Sequence, residues 1–122
     1  MAKIYVAGKN LTRARAVMDM LVENGHSVTF DWITGIENEK DEELPQRASD
    51  ERKAVQECDV LVYLWESDQE SARYEAGMAM GLNKPIIVSG FTKKLFFLSL
   101  PEITCVKNDD EILAALKIKT LQ

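Results

Sequence analysis

The chain has 122 residues, enough for one domain (1–122) built around one hydrophobic core. Its net charge of −5 argues against a nucleic-acid duplex or an anionic membrane surface as partner, since both select basic faces. No apolar run approaches the ~18 residues of a membrane span, and a single histidine with two cysteines far apart, outside CxxC spacing, excludes a zinc site.

The opening "MAKIYVAG" runs straight into a predicted strand over 3–8, so no signal peptide is expected; the reading is a cytoplasmic protein with two buried, reduced thiols, Cys58 and Cys105. Residues 12–25 predict a helix, with Ala14, Val17, Met18, Leu21 and Val22 at helical spacing and Gly25 as its stop. "SVTFDW" (27–32) is a short β-rich run. "GIENEKDEELPQR" (35–47) reads as a surface loop or lid whose charge is mainly a solvated face. Residues 49–58 predict a short helix starting at Ser49. "DVLVYLW" (59–65) is apolar on both faces, as a central parallel strand requires. A helix over 71–83 capped by Ser71 follows, then "PIIV" (85–88), an irregular stretch, "EITCV" (102–106), and a last helix over 109–117 capped by Asp109.

Strands alternating with helices predict a five-stranded parallel sheet with helices on both faces, a flavodoxin-like (Rossmann-like) α/β/α sandwich. Ligands of such sheets bind outside the carboxyl ends of the strands, here near Ala7–Asn10, Asp31–Trp32, Trp65–Gln69 and Ser89–Phe91. No GxGxxG or GxxxxGK[ST] follows a strand, and no GxSxG is present, so dinucleotide, P-loop and Ser-His chemistries are excluded. His26 falls in a turn on the amino side of the sheet. What remains at the productive edge is carboxylate chemistry without a cofactor. Glu75 stands out: it lies in the opening turns of an apolar helix in which no other charge appears from Ala76 to Asn83. A helix start favours the ionised form, and Gly77 and Gly81 are expected to let the helix lie close on the sheet. A charge that merely complements a helix terminus is the competing reading.

"KIYVAG", "RARAVMDMLVENGHSVTFDW", "CDVLVYL" and above all "SARYEAGMAMGLNKPIIV" resemble the nucleoside 2-deoxyribosyltransferase-like superfamily, which includes 2'-deoxynucleoside 5'-phosphate N-hydrolases. The resemblance covers most of residues 3–88. It implies that Glu75 is the catalytic glutamate, that Tyr5 faces the active site, and that Gly8, Lys9 and Asn10 form the loop at which ligand approaches the backbone. The register of a second catalytic carboxylate falls on Glu51, with Asp50 beside it. Where the family's hydrolases carry phosphate-binding Ser-x-Arg and Ser-x-Gly, this chain reads "KNL" and "QES"; Lys9, Arg13 or Arg73 would then supply the positive charge. Subunits of that family assemble as dimers or larger, and "FTKKLFFLSL" (91–100) is expected to contribute to an interface, because Phe96, Phe97 and Leu98 cannot all face one core.

The chemistry follows from the residues. Cleaving an N-glycosidic bond passes through a cationic sugar, which an ionised carboxylate stabilises and then bonds. A second acid protonates the departing base. Trp32 and Trp65 are candidate stacking surfaces for a base, Asp31 a candidate for a sugar hydroxyl, and Ser71 either a ligand contact or a cap. The expected function is cleavage or transfer at the N-glycosidic bond of a (deoxy)nucleoside or its 5'-monophosphate, with a non-catalytic nucleotide-binding or regulatory module as the alternative.

Overall fold

The computed structural model describes residues 1–93 and 95–120, apart from the side chain of Thr120; Lys94, within the expected interface stretch, lies outside the described residues. Five strands, β1 (Lys3–Ala7), β2 (Ser27–Val28), β3 (Val60–Leu64), β4 (Ile86–Ser89) and β5 (Ile103–Val106), form one parallel sheet in the order β2-β1-β3-β4-β5. The register runs through Tyr5↔Leu61 and Ala7↔Tyr63, then Leu61↔Ile86 and Tyr63↔Val88. Helices α1 (Leu11–Glu23), α2 (Leu44–Glu57), α3 (Ser71–Gly81) and α4 (Ile112–Thr120) cover it. Central strands β1, β3 and β4 are buried almost throughout, because helices on both faces leave no side of the sheet to water.

Alternation along β1 sends Ile4 and Val6 to one face and Tyr5 to the other. Tyr5, Leu61 and Val88 therefore share the face over which α2 and α3 pack against each other. Small buried residues on α3, Ala72, Ala76 and Ala79, allow that helix to approach the sheet. Gly77 and Gly81 do not serve this purpose: both lie on the exposed side of α3, and a Cβ on either would meet nothing within 4 Å. The helix is rotated so that alanines, with Glu75, face inward.

Several boundaries differ from the sequence reading, each for a local reason. α2 begins at Leu44 rather than Ser49, because Pro45 sits in its first turn, where a missing N–H breaks no bond. The expected lid is thus partly helical. Gly35, with φ 82°, turns the chain into short 3-10 turns at Ile36–Asn38 and Asp41–Glu43. Ser71 is the first helical residue of α3 and caps nothing; Glu70 holds the cap position, but its side chain accepts from the Tyr74 hydroxyl rather than from a helix N–H. Asn108, not Asp109, caps the last helical segment by accepting from the Asp110 N–H at 3.1 Å. Of the apolar positions at helical spacing in α1, Val22 is 57 % exposed, whereas Ala14, Val17, Met18 and Leu21 are buried. His26 occupies its turn on the amino side, its Nδ1 accepting from Ala2 N–H. Cys58 is buried and Cys105 half-buried, both free. In the 91–100 stretch, Leu98 packs on the core while Phe96 and Phe97 are 85 % and 62 % exposed, edge to face with each other. No helix among the described residues is long and apolar enough to cross a membrane.

Candidate active site

A cavity of about 1070 Å³ opens at the carboxyl edge of β1 and β3, between α2, α3 and the 33–43 segment. Its lining includes Gly8 and Lys9 after β1, Trp32 and Ile36 from the long connection, Leu44, Pro45, Arg47 and Glu51 from the cavity face of α2, and Ser71, Ala72 and Glu75 from α3. Positions 44, 47, 48, 51 and 52 recur at helical spacing, so one stripe of α2 forms a whole wall. Gly8 lies at the cavity rim, and a Cβ there would crowd the buried Leu64 side chain at 3.3 Å, so packing against the core is what asks for glycine.

Three polar side chains meet at the inner end of the cavity. Glu75 is only 6 % exposed and Tyr5 fully buried. The Tyr5 hydroxyl donates to Glu51 Oε1 at 2.9 Å and also bonds Oε2 of Glu75. Glu51 and Glu75 are thus bridged by the one Tyr5 hydroxyl, which brings the two carboxyls close enough to shift each other's titration. Two carboxyls in one dry site cannot both ionise cheaply. Burial, and then the neighbouring Glu51 carboxyl, raise the Glu75 carboxyl to about 9, against the opposing bond from Tyr5. Burial works against ionised Glu51 too, but the Glu75 carboxyl and hydrogen bonds from Tyr5 and Arg47, with the Arg47 charge, outweigh it and hold Glu51 below its ordinary range. Burial and the two adjacent carboxylates raise Tyr5 far above the usual phenol range, so it remains a neutral donor.

The expectation that the helix start keeps Glu75 ionised is therefore corrected. Glu75 is the fifth residue of α3, a full turn past the free N–H groups, and its side chain turns to the sheet, where desolvation and a second carboxyl govern it. Burial and the second carboxyl thus favour the protonated form of Glu75 beside an ionised Glu51.

Arg47 was not singled out in the sequence. Its Nε donates to Glu51 Oε2 at 2.7 Å and its Nη1 to Glu39 Oε1 at 2.5 Å. Both of its partners are largely shielded from solvent, so part of the supposed solvated face points inward. The only signal available was the i,i+4 spacing of Arg47 and Glu51 on one helix.

The other sequence candidates divide by position. Lys9, Gly8, Trp32 and Ser71 line the cavity with Glu75 and Glu51. Lys9 pairs with Asp68 at 2.7 Å in the open. Trp32 is 7 % exposed, its indole N–H donating to Val6 O at 2.7 Å, so its ring is fixed as a wall. Asp50 faces a second, smaller cavity and accepts from Gln46 at 2.9 Å, which leaves Glu51 as the carboxyl beside Glu75. Asp31 also faces that second cavity. It is bound by Arg15 and by the N–H groups of Ile33 and Thr34, and these bonds outweigh burial to lower it. Asn10, Arg13 and Trp65, the other substrate-binding candidates, do not line the cavity. Asn10 caps α1 by accepting from Arg13 N–H at 2.9 Å. Arg13 clasps Asp109 and the carbonyls of Trp65 and Ser89. Trp65 lies against Phe91, ring centres 4.6 Å apart. Arg73 donates to carbonyls of the 66–69 loop, so its charge is spent on backbone rather than on the cavity.

No family model matches the chain, and no curated protein does. Among solved structures, the chain is similar to the CMP N-glycosidase BcmB of Clostridium botulinum, with a TM-score of 0.65 and 17% identity over 94% of this chain and 98% of that one. At that identity the likeness establishes a shared fold: the three-layer α/β/α sandwich with a five-stranded parallel sheet.

Proposed function

We propose that this protein cleaves the N-glycosidic bond of a nucleoside 5'-monophosphate, with Glu75 as nucleophile and Glu51 as acid and base. The observation that carries the reading is the Tyr5–Glu51–Glu75 cluster, two carboxyls bridged by one buried hydroxyl at the inner end of a large cavity at the carboxyl edge of the sheet. The fold of a CMP N-glycosidase supports it.

One proton supplies both roles. It moves from Glu75 to Glu51 by way of the Tyr5 hydroxyl that bonds both, Tyr5 taking one proton as it gives up another, and this frees a Glu75 carboxylate. That oxygen bonds the anomeric carbon as the carbon–nitrogen bond breaks. The bonding pair leaves with the base, and Glu51 delivers the proton to it. The glycosyl ester on Glu75 is then attacked by water, whose proton Glu51 accepts; the ester opens and the pair regains its single proton. A second base in place of water gives transfer instead of hydrolysis. Tyr5 steadies the attacking carboxylate throughout.

The cavity has two chemical ends. Leu44, Pro45, Ala48, Ile36 and Trp32 offer an apolar wall for a base. Lys9, Arg52 and the uncapped start of α3 at Ser71 and Ala72 suit an anionic group. The exposed Lys9–Asp68 pair is weak, screened by solvent, and yields readily to a phosphate.

The test is incubation with common ribo- and deoxynucleoside 5'-monophosphates and the matching nucleosides, with chromatography for free base. Base release from monophosphates, abolished by Glu75→Gln, is expected. No release from any of them overturns the enzyme reading. The absence of Ser-x-Gly and Ser-x-Arg motifs favours the alternative of a non-catalytic nucleotide-binding module, for which thermal stabilisation by nucleotides without turnover is the signature.

A further inference from the structure

Arg47 stands between two cavities. It lines the large one with Glu51 and the smaller one with Glu39, together with Trp32 and Ile36, which also border both. Its guanidinium is divided between a carboxylate of the catalytic pair and a carboxylate of the 33–43 connection. Both bonds are short and partly shielded from water, which makes them strong for charge-assisted contacts. This one cation thus faces an acid cluster of three carboxyls, Glu39, Glu51 and Glu75.

We propose that Arg47 is a positioning residue: by pairing with Glu51 it decides which member of the Glu51–Glu75 pair carries the shared proton, and Glu39 sets how firmly it does so. The inference rests on the catalytic roles proposed for that pair. With Arg47 on Glu51, the negative charge is anchored there and the proton rests on Glu75, a protected state of the nucleophile. Drawing Arg47 away from Glu51 makes Glu51 the better base, so the proton crosses and Glu75 becomes the carboxylate that attacks. Atoms balance, because the proton only changes partner and no outside acid is needed. Glu39 belongs to the connection that walls both cavities, so a shift of that connection alters the share of Arg47 left for Glu51. The charged and titratable groups around Glu51 are Tyr5 from β1, Glu75 from α3, Arg47 on its own helix with Glu39 behind it, and Arg52, Lys9, Asp68, Glu70 and Tyr74 around the same cavity. Among these, Arg47 is the cation that touches Glu51.

The test uses ligand-free full-length protein carrying glutamate labelled with carbon-13 at the side-chain carboxyl, titrated by NMR, with Glu51 and Glu75 assigned from Glu51→Gln and Glu75→Gln. In the wild type near neutral pH, Glu75 should show a protonated carboxyl and Glu51 a carboxylate. Arg47→Gln should raise the Glu51 midpoint by at least about one pH unit and move protonated character onto it. Arg47→Lys, which restores charge through a single donor, should recover most of the shift. Glu39→Gln should move Glu51 the opposite way, since Arg47 is then undivided. Unchanged Glu51 and Glu75 titrations in Arg47→Gln overturn the proposal; so do shifts of the same sign in Glu39→Gln and Arg47→Gln, which would mark a loosened helix. Arg47→Lys keeps the question open to measurement if Arg47→Gln does not fold. Because the readout needs no turnover, an inactive wild type would sink the proposed function while leaving this result legible.

Discussion

Arg13 and Arg47 both reach toward the carboxyl edge of the sheet, from opposite faces, and each pairs with acids, yet their surroundings differ in one respect. Arg13 meets one carboxylate, Asp109, in bidentate fashion at 2.8 and 2.9 Å, and its remaining donors take the carbonyls of Trp65 and Ser89 at 2.8 and 3.0 Å. Ser89 adds a hydroxyl to the same carboxylate at 2.6 Å. Charge is matched one to one, so the network ties α1, two strand ends and the start of the last helical segment together. Around Arg47 one cation serves a three-carboxyl cluster, and the excess of acid is met by retaining a proton. A matched network holds structure, whereas an unmatched one stores a proton that chemistry can use.

The largest expected effect separates the two directly. Glu75→Gln removes the nucleophile but keeps its shape and burial; base release should fall by at least about 10³-fold in kcat, measured in single turnovers to separate chemistry from product release. Glu51→Gln should cost about 10²- to 10⁴-fold, and less with substrates whose base leaves without protonation. The pair also sets the pH profile. Glu51 must be ionised before the proton can reach it from Glu75, which gives an acid limb below the ordinary carboxyl range, and the pair must still hold one proton, which gives an alkaline limb near 9.

On the matched side, Arg13→Ala should leave kcat per folded molecule unchanged while stability falls by about 2–3 kcal/mol, or roughly 10 °C in Tm, because Asp109 and two carbonyls lose a charged donor. A loss of activity without a loss of stability would erase the distinction between the two networks.

The fold was legible because strands β1, β3 and β4 are continuous apolar runs between helical patterns, and this arrangement depends on nothing beyond local periodicity. Glu75, Tyr5 and Glu51 were reachable through their resemblance to a family. Their protonation was not, since it depends on burial and on a second carboxyl brought from a different helix. Glu39 and Arg47 looked solvated because a charge reads the same in sequence whether it faces water or a partner. Pro45 suggested a loop, although the first turn of a helix accepts proline equally well. Asn10 and Ser71 show that capping and ligand contact cannot be told apart locally: the first proved to be a cap and the second did not. The expected closeness of Gly77 and Gly81 to the sheet failed because the rotation of α3 is set by Glu75 and the alanines.

A smaller effect concerns stability. Folding raises Glu75 from its ordinary 4.5, so the folded chain binds this proton more tightly than the unfolded chain. Stability from this group is fully present below about 4.5 and is lost as pH rises toward about 9. Each pH unit in that window costs at most about 1.4 kcal/mol, and less because Glu51 shares the titration. Glu75→Gln cannot ionise, so its urea-unfolding free energy should decline less between pH 6 and pH 8.5. At the upper end it should exceed the wild type by about 1–2 kcal/mol. A steeper decline in the variant would mean that the buried pair is not the source of the wild-type slope.

The smallest expected effect lies one residue away from a large one. Asp50 and Glu51 are neighbours on α2, but one step along a helix turns a side chain by about 100°. That turn points Asp50 into the smaller cavity, exposed and accepting from Gln46, while Glu51 points at Glu75. Asp50→Asn should therefore change kcat by less than about twofold and stability by less than about 0.5 kcal/mol. Set beside Glu51→Gln in the same assay, the pair of substitutions reads the rotation of α2 against the sheet. A loss in Asp50→Asn comparable to that in Glu51→Gln would require the helix to present Asp50 to the substrate, and Arg47, spaced to reach Glu51 one turn on, would then lose its place beside the acid.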